Sequence, residues 1–229
     1  MRKLSARLKA IFDFVPEGCF PADIGADHAL LTLALLESGK AKWAQAVENK
    51  SGPFIRMKSN IDASPYSSCV TCSKSDGLDE LLEGVNCLIL AGMGGRLSAE
   101  ILQKGKSKLD HVSDIILDPH TDLTFVRSEV VGLGFYVAEE KMVYEEKAFY
   151  SIIHFRKGAP ERPYTKLELA LGPSLMQKRD PVFLQFVLEQ EKKVGKILDK
   201  GLPAEARRKY LNFYRALKAV YEGGQSLSK

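Results

Sequence analysis

The sequence is poor in the residues that build covalent or metal scaffolds. Four cysteines in 229 residues, Cys19, Cys69, Cys72 and Cys87, are too few for a disulfide framework. Cys69 and Cys72 form one C-x-x-C, with neither a second such pair nor matching histidines to close a zinc site. Half a zinc site or a redox pair therefore stands beside a plainer reading, in which SSCVTCSKSDG alternates as a strand entering a turn, and no bound metal is expected. Long apolar runs are missing too. No stretch is long enough to span a bilayer, and the amino end MRKLSARLKAIFDFV is patterned as an amphipathic helix with Leu4, Leu8, Ile11 and Phe12 on one face. The expected location is the cytoplasm, away from membranes. The first strand-to-helix turn also lacks the G-x-G-x-x-G fingerprint, which argues against a pyrophosphate-bearing dinucleotide.

What remains is a chain with 45% hydrophobic residues, enough to bury one sizeable core and leave an appendage. Strand patterns alternate with helical ones. FPADIGA is followed by a helix from Ala29 to Glu37, KWAQAVE by one over KSGPFIRMKSNIDAS, and SCVTCSK by a short helix over LDELLEG. VNCLILAGMGG leads into a helix beginning RLSAEILQ, and DIILDP into TFVRSEVVGLG. Two adjacent strands, FYVAEEKMVYEEK and AFYSIIHFRKG, close the series. This pattern predicts a parallel sheet covered on both faces with an antiparallel finish.

Past Gly158 the strand signal stops. APERPYT reads as a linker; Asp180 and Pro181 then make an N-cap and first-turn pair opening one amphipathic helix, and Pro203 opens another. The expected division is a catalytic domain over 1–158 and an antiparallel helical hairpin within 159–229, with GGQSLSK frayed at the end. Residues 156–229 hold 16 Lys and Arg against 8 Asp and Glu, whereas the whole chain has 33 against 29. The basic tail suits a polyanion, nucleic acid above all, and suits equally a solvated helical surface.

In an open α/β sheet, ligands sit beyond the carboxyl ends of the strands. The unusual polar and glycine residues fall there: Asp23, Gly25, Asp27 and His28 after the first strand, Glu48 after the second, Asp76 and Gly77 after the third, and AGMGG after the fourth. Gly25 would let the backbone approach a ligand closely. Glu48 could accept both ribose hydroxyls, and Asp76 an exocyclic adenine amine. Asp27 would repel a pyrophosphate and suit a ligand carrying an ammonium and a sulfonium. S-adenosyl-L-methionine fits this set, and with the antiparallel last pair it points to a Rossmann-like class I methyltransferase sheet of order 3-2-1-4-5-7-6. Taken singly, each residue has a plainer reading: an Asp as helix cap, Gly92 to Gly95 as a tight turn, His28 as a surface group, Tyr150 as core. The set, in register on four successive strands, is what argues for a site.

DIGADHALL, AGMGGRL, ILDPHTDL, AFYSIIHFRKG and LGPSLMQKRDPVF together resemble the bacterial tRNA (adenine-N1)-methyltransferases that modify adenosine 22 in the D arm. The likeness runs from LSARL to about Gly201. It implies a Rossmann-like catalytic domain and a carboxy-terminal coiled-coil hairpin that holds tRNA. Carried over, it assigns the cofactor to Asp23, Gly25, Asp27, His28, Glu48, Asp76, Gly77, Gly92, Met93 and Gly94, with Arg7 facing the cofactor carboxylate or the RNA. Two departures stand out: Ala26 where family members usually show Ser, and Asp118-Pro119-His120 in place of Gln-Pro-Asn.

Adenine N1 has an in-plane lone pair, so the resemblance implies catalysis mostly by positioning, with the target base turned out of its stack. Asp27 or Asp118 would stabilise the cationic product, and His28 or His120 would manage the N6 proton. Lys192, Lys193, Arg207 and Arg208 are the candidate RNA contacts, and a monomer is expected. Another RNA or small-molecule methyltransferase on this fold, or a non-catalytic cofactor-binding RNA scaffold, are the competing readings.

Overall fold

A computed structural model of the chain describes residues 2–223. The first half alternates helix and strand: α1 (Ala6–Phe14), β1 (Pro21–Ile24), α2 (Leu30–Glu37), β2 (Ala44–Val47), α3 (Ser51–Asp62), β3 (Val70–Ser73), β4 (Cys87–Met93), α4 (Gly95–Lys104), β5 (Asp114–Pro119) and α5 (Leu123–Gly132). A long hairpin of β6 (Phe135–Glu145) and β7 (Ala148–Lys157) follows. The seven strands order as β3-β2-β1-β4-β5-β7-β6, parallel from β3 to β5, with β7 antiparallel to both β5 and β6. That is the expected order. Strand order reverses between β1 and β4, so their carboxyl ends flank the crevice where such sheets bind ligands.

Burial follows from strand periodicity. PADI and AQAV are buried at every position, as strands covered on both faces must be. Along β4 the side chains divide: Leu88 and Leu90 join the core under α4 and α5, whereas Cys87 and Ile89 join Ile116 and Ile152 against α1 and α2. Cys72 lies on β3 and Cys69 in the single 3₁₀ turn before it, so the C-x-x-C belongs to the strand and its approach. Residues 78–84 form turns instead of the short helix expected from LDELLEG. Seven residues ending in Gly84 are too few to nucleate a helix unaided, and Leu78 is held instead under Gly105, where a glycine Cβ would lie 2.6 Å from Leu78 Cδ1.

After the sheet come α6 (Lys166–Leu171), α7 (Pro173–Lys178), α8 (Pro181–Leu198) and α9 (Ala204–Glu222). The first two, about one and a half turns each, lie between the APERPYT linker and the Asp180–Pro181 helix start, where no element was expected. Thr165 and Glu168 cap α6 reciprocally. Gly172, at φ +99°, joins α6 to α7 directly against Glu140, and a Cβ there would lie 2.6 Å from Glu140 Oε2. Asp180 caps α8 through the Phe183 amide, with Pro181 in the first turn, as its sequence requires. Met142 of β6 packs with Leu171, Leu175, Phe183, Val187, Val194, Leu217 and Val220, so α6 to α9 share one small core seated on the last hairpin. The stretch 224–229, most of the GGQSLSK expected to fray, lies outside the described residues. No helix among those described is long and apolar enough to cross a membrane.

Candidate active site

The strand ends meet in one crevice. A cavity of about 320 Å³ is lined by Gly25 and Asp27 after β1, Glu48 after β2, Asp76 and Gly77 after β3, and Gly92 and Met93 at the end of β4. Residues far apart in the sequence thus share one wall because four parallel strands end together. Gly25 sits at φ +82°, and a Cβ on it would come within 3.2 Å of Met93 Cε. Glycine is required there by both backbone and space. Its amide and that of Ala26 donate to Val47 O at 2.8 and 3.1 Å, folding the turn across the end of β2. Glu48 is buried, and its Oε1 accepts from the Lys50 amide at 2.9 Å. Asn49 donates to Asp76 at 3.2 Å. Gly77, at φ +53°, faces Ile101, whose Cγ2 would stand 3.0 Å from a Cβ.

A second cavity, of about 200 Å³, shares Gly25, Asp27, Ala91 and Gly92 with the first and adds Arg7, Asp23 and His28. Asp23 is buried in β1 and accepts from Thr32 Oγ1 at 2.7 Å. Burial pushes its carboxyl up to about 6 against the pull of the Thr32 hydrogen bonds. An acid held this way, with no cation beside it, favours a cationic visitor. Asp27 accepts from Arg56 Nη2 at 2.8 Å and Nε at 3.2 Å, a pairing between two post-strand segments that no local spacing announces. Neither Asp27 nor His28 caps α2, which starts at a left-handed Ala29 without a side-chain cap. The helix-cap reading therefore fails, whereas the surface reading of His28 holds. His28 lies on the open rim, its side chain 53% exposed, 3.7 Å from Asp27 Oδ2.

The third element of the site lies one strand over. Asp118 of β5 is in register with Ala91 of β4, whose neighbour Gly92 lines both cavities. Its side chain is fully buried, and neither oxygen has a hydrogen bond of normal geometry. Burial raises its carboxyl above the ordinary range, opposed by the charges of Arg7 and His120 and by the nearby Gly92 amide. Arg7 from α1 covers it: Nε stands 3.5 Å from Asp118 Oδ2, Nη1 is 3.0 Å from His120 Nε2, and the guanidinium lies 4.9 Å over the Tyr150 ring. Glu145 holds the Arg7 amide at 2.8 Å. Tyr150, whose sequence reads as core, is thus half-buried at the site with His120 edge-on to its ring at 5.6 Å.

Gly94 lies outside the walls of both cavities as the N-cap of α4, and Gly95 behind it packs so closely that a Cβ would fall 2.4 Å from Thr121 O. Leu30 at the second cavity and Leu97 at the first are exposed apolar side chains, as are Ile55 of α3, Phe125 in the first turn of α5 and Tyr144 near the end of β6. Arg96 lies 4.9 Å over Phe125. Neither these exposed apolar side chains nor Arg56 was read from the sequence, because exposure of an apolar residue has no local signature. Lys192, Lys193, Arg207 and Arg208 are exposed on α8 and α9 and form no ion pair among the described residues.

The geometry suits a nucleoside with a cationic amino-acid tail: a glycine-lined cradle, a buried acid after β2 and a buried acid beside the second cavity. The comparisons with known proteins agree. A family model described as a methyltransferase domain matches residues 4–153. The tRNA (adenine(22)-N(1))-methyltransferase of Bacillus subtilis is 31% identical over 188 residues, 80% of this chain and 79% of that protein. Streptococcus pneumoniae Sp1610, a candidate tRNA (m1A22) methyltransferase, superimposes with a TM-score of 0.91 at 30% identity, covering 96% of this chain and 100% of that one. Its complex with S-adenosyl-L-methionine superimposes at 0.87, with the same identity and coverage.

Proposed function

The chain belongs to the tRNA (adenine(22)-N(1))-methyltransferase family, and on that premise we propose that it methylates N1 of adenosine 22 in the D arm of tRNA, using S-adenosyl-L-methionine. The observation that carries this reading is the joining of Gly25, Asp27, Glu48, Asp76, Gly77 and Gly92 in one cavity continuous with Arg7 and Asp23.

The cofactor supplies an electrophilic methyl group on a sulfonium. Glu48 holds its ribose hydroxyls, and Asp76 with Gly77 borders its adenine. Asp23, Asp27 and the Gly25 turn receive the methionine end, where two carboxylates favour its positive charges, and Arg7 stands ready for its carboxylate. Gly92 and Met93 form the wall between cofactor and target base. Because N1 needs no strong base to act as nucleophile, these residues act by holding a near-attack geometry and excluding water. The buried Asp118 offers negative charge to the cationic product, where low dielectric strengthens it. The exposed histidines His28 and His120 can exchange the N6 proton with solvent.

N1 lies on the Watson–Crick edge, so the base must leave its stack to reach the crevice. Exposed Leu30 and Leu97 at the two cavities, and the exposed Phe125 with Arg96 stacked on it, offer surfaces on which unstacked bases pack. The basic α8–α9 hairpin with Lys192, Lys193, Arg207 and Arg208 contacts the phosphates. Every assigned group comes from one chain, so a monomer suffices, and a tRNA substrate goes with a cytoplasmic protein. Asp23→Ala and Glu48→Ala are expected to abolish cofactor binding and methylation while leaving tRNA affinity within about twofold, since cofactor and RNA surfaces differ. Unchanged methylation in both variants would overturn the assignment.

A further inference from the structure

We propose that Asp118 reads the exocyclic amine of the target base, accepting its N6–H, and so selects adenine over guanine. The inference rests on the methyltransferase reading above and concerns a residue that reading uses only as a source of charge. It starts from a buried acceptor whose neighbours, the Arg7 guanidinium and the Gly92 amide, make no hydrogen bond of normal geometry to it. Both Asp118 oxygens are shut off from solvent and without hydrogen bonds of normal geometry, although Arg7, His120 and Tyr150 all lie close by. Buried polar atoms are nearly always satisfied, and a carboxylate whose only partner is a loose ion pair is a costly exception. Arg7 does not repair this. Its Nε stops 3.5 Å short, while its Nη1 is directed to His120 and its plane lies over Tyr150.

A ligand that completes Asp118 must bring a donor, and it must bring it next to the Gly92–Met93 wall. Asp118 is paired in register with Ala91, adjoining Gly92 and Met93. Adenine carries its N6 amine on the carbon beside N1, so a base with N1 at that wall has its amine two bonds away along the same edge. Guanine presents O6 there, an acceptor facing an acceptor, and has a proton on N1. The carboxylate therefore favours adenine by attraction and disfavours guanine by repulsion, the two ways specificity is built. The outer cover of Asp118 is Arg7, whose side chain is 25% exposed, with exposed His120 beside it. The base reaches the carboxylate through the place the guanidinium occupies.

The test compares tRNA carrying adenosine with tRNA carrying purine riboside, which lacks the amine, at position 22. Purine N1 is intrinsically less basic, a handicap common to every variant, so the ratio of ratios isolates the Asp118 interaction. It is read in two ways: single-turnover methylation, and tRNA affinity with S-adenosylhomocysteine in place of the methyl donor. Wild type is expected to discriminate against purine by about 10- to 100-fold more than Asp118→Ala, as befits removal of a hydrogen bond to a charged group. Asp118→Asn, which keeps a neutral acceptor, should fall between them. Should Asp118→Ala fail to fold, wild type against Asp118→Asn carries the test with an expected difference of several-fold. Equal discrimination in all folded proteins would overturn the proposal, as would a change in cofactor affinity with discrimination untouched. Failure of wild type to methylate adenosine 22 at all would count against the underlying reading instead.

Discussion

At the scale of single residues, the carboxylates of the candidate site stand in different states of satisfaction. Asp27 is paired with Arg56, Glu48 accepts a backbone amide, Asp23 has only Thr32, and Asp118 has no hydrogen bond of normal geometry. The order matters because an acid held without a partner is stabilised by whatever cation or donor arrives. Asp23 gives this a pH dependence. Its carboxyl is raised to about 6 in the fold, against about 4 in an unfolded chain. The native state therefore binds more protons between those values, and the contribution of Asp23 to stability falls as pH rises from about 4 to about 6. Bound cation favours the ionised form, so cofactor affinity moves the other way. Calorimetric titration is expected to show affinity weakening by about tenfold per pH unit below about pH 6, and Asp23→Asn flattening that dependence. Parallel profiles for the two proteins would show that Asp23 does not face the cofactor.

At the scale of elements, two features set how the last hairpin and the helices beyond it are held. Arg127 of α5 and Glu140 of β6 are both fully buried and paired at 2.8 Å. Arg127 also donates to Leu169 O and Ser151 Oγ, and Glu140 Oε2 accepts the Ser174 amide at 3.0 Å. One ion pair thus ties sheet, α5, α6 and α7 together. Glu140→Ala leaves a buried guanidinium unpaired and is expected to destabilise by about 3–5 kcal/mol in urea unfolding. Pairing Arg127→Met with Glu140→Leu should recover most of that stability. The turn joining β6 to β7 is Glu146–Lys147, with φ +49° and +64°. Two positive φ values at the centre of a hairpin favour Asn–Gly. Replacing the pair should raise stability by about 1–2 kcal/mol, measured by the same unfolding curves.

The elements also show what the sequence could and could not announce. The sheet was legible because PADI, AQAV and CLIL are apolar runs punctuated by glycine and acid, and the site because its acids and glycines stand at those strand ends. What escaped reading depends on partners distant in sequence. Arg56 meets Asp27 across 29 positions, and Tyr150 reaches Arg7 across the whole catalytic domain. The α6 and α7 helices, beyond the APERPYT linker, escaped as well, because Gly172 and Pro173 break the helical period where here they turn the corner between two short helices. The LDELLEG stretch carried helical propensity that packing of Leu78 overrode.

At the scale of the whole molecule, a basic helical hairpin stands on an acidic body, and the proposed function has the RNA touch both. The hairpin core ends on Met142 and Phe149, strand residues of the last sheet hairpin, so its position relative to the crevice is set by packing. Charge reversal at Lys192, Lys193, Arg207 and Arg208 is expected to weaken tRNA binding and to flatten the slope of log affinity against log salt by roughly one unit for each phosphate that the hairpin ceases to neutralise. Cofactor affinity should not change. An unaltered salt slope would assign the hairpin to packing alone.

The most direct measurement incubates the protein with unmodified tRNA transcripts and methyl-labelled S-adenosyl-L-methionine, then maps the product by nucleoside mass spectrometry. The account predicts label in 1-methyladenosine at position 22 of the D arm. Label in another nucleoside, or none from a protein that binds both cofactor and tRNA, would contradict it.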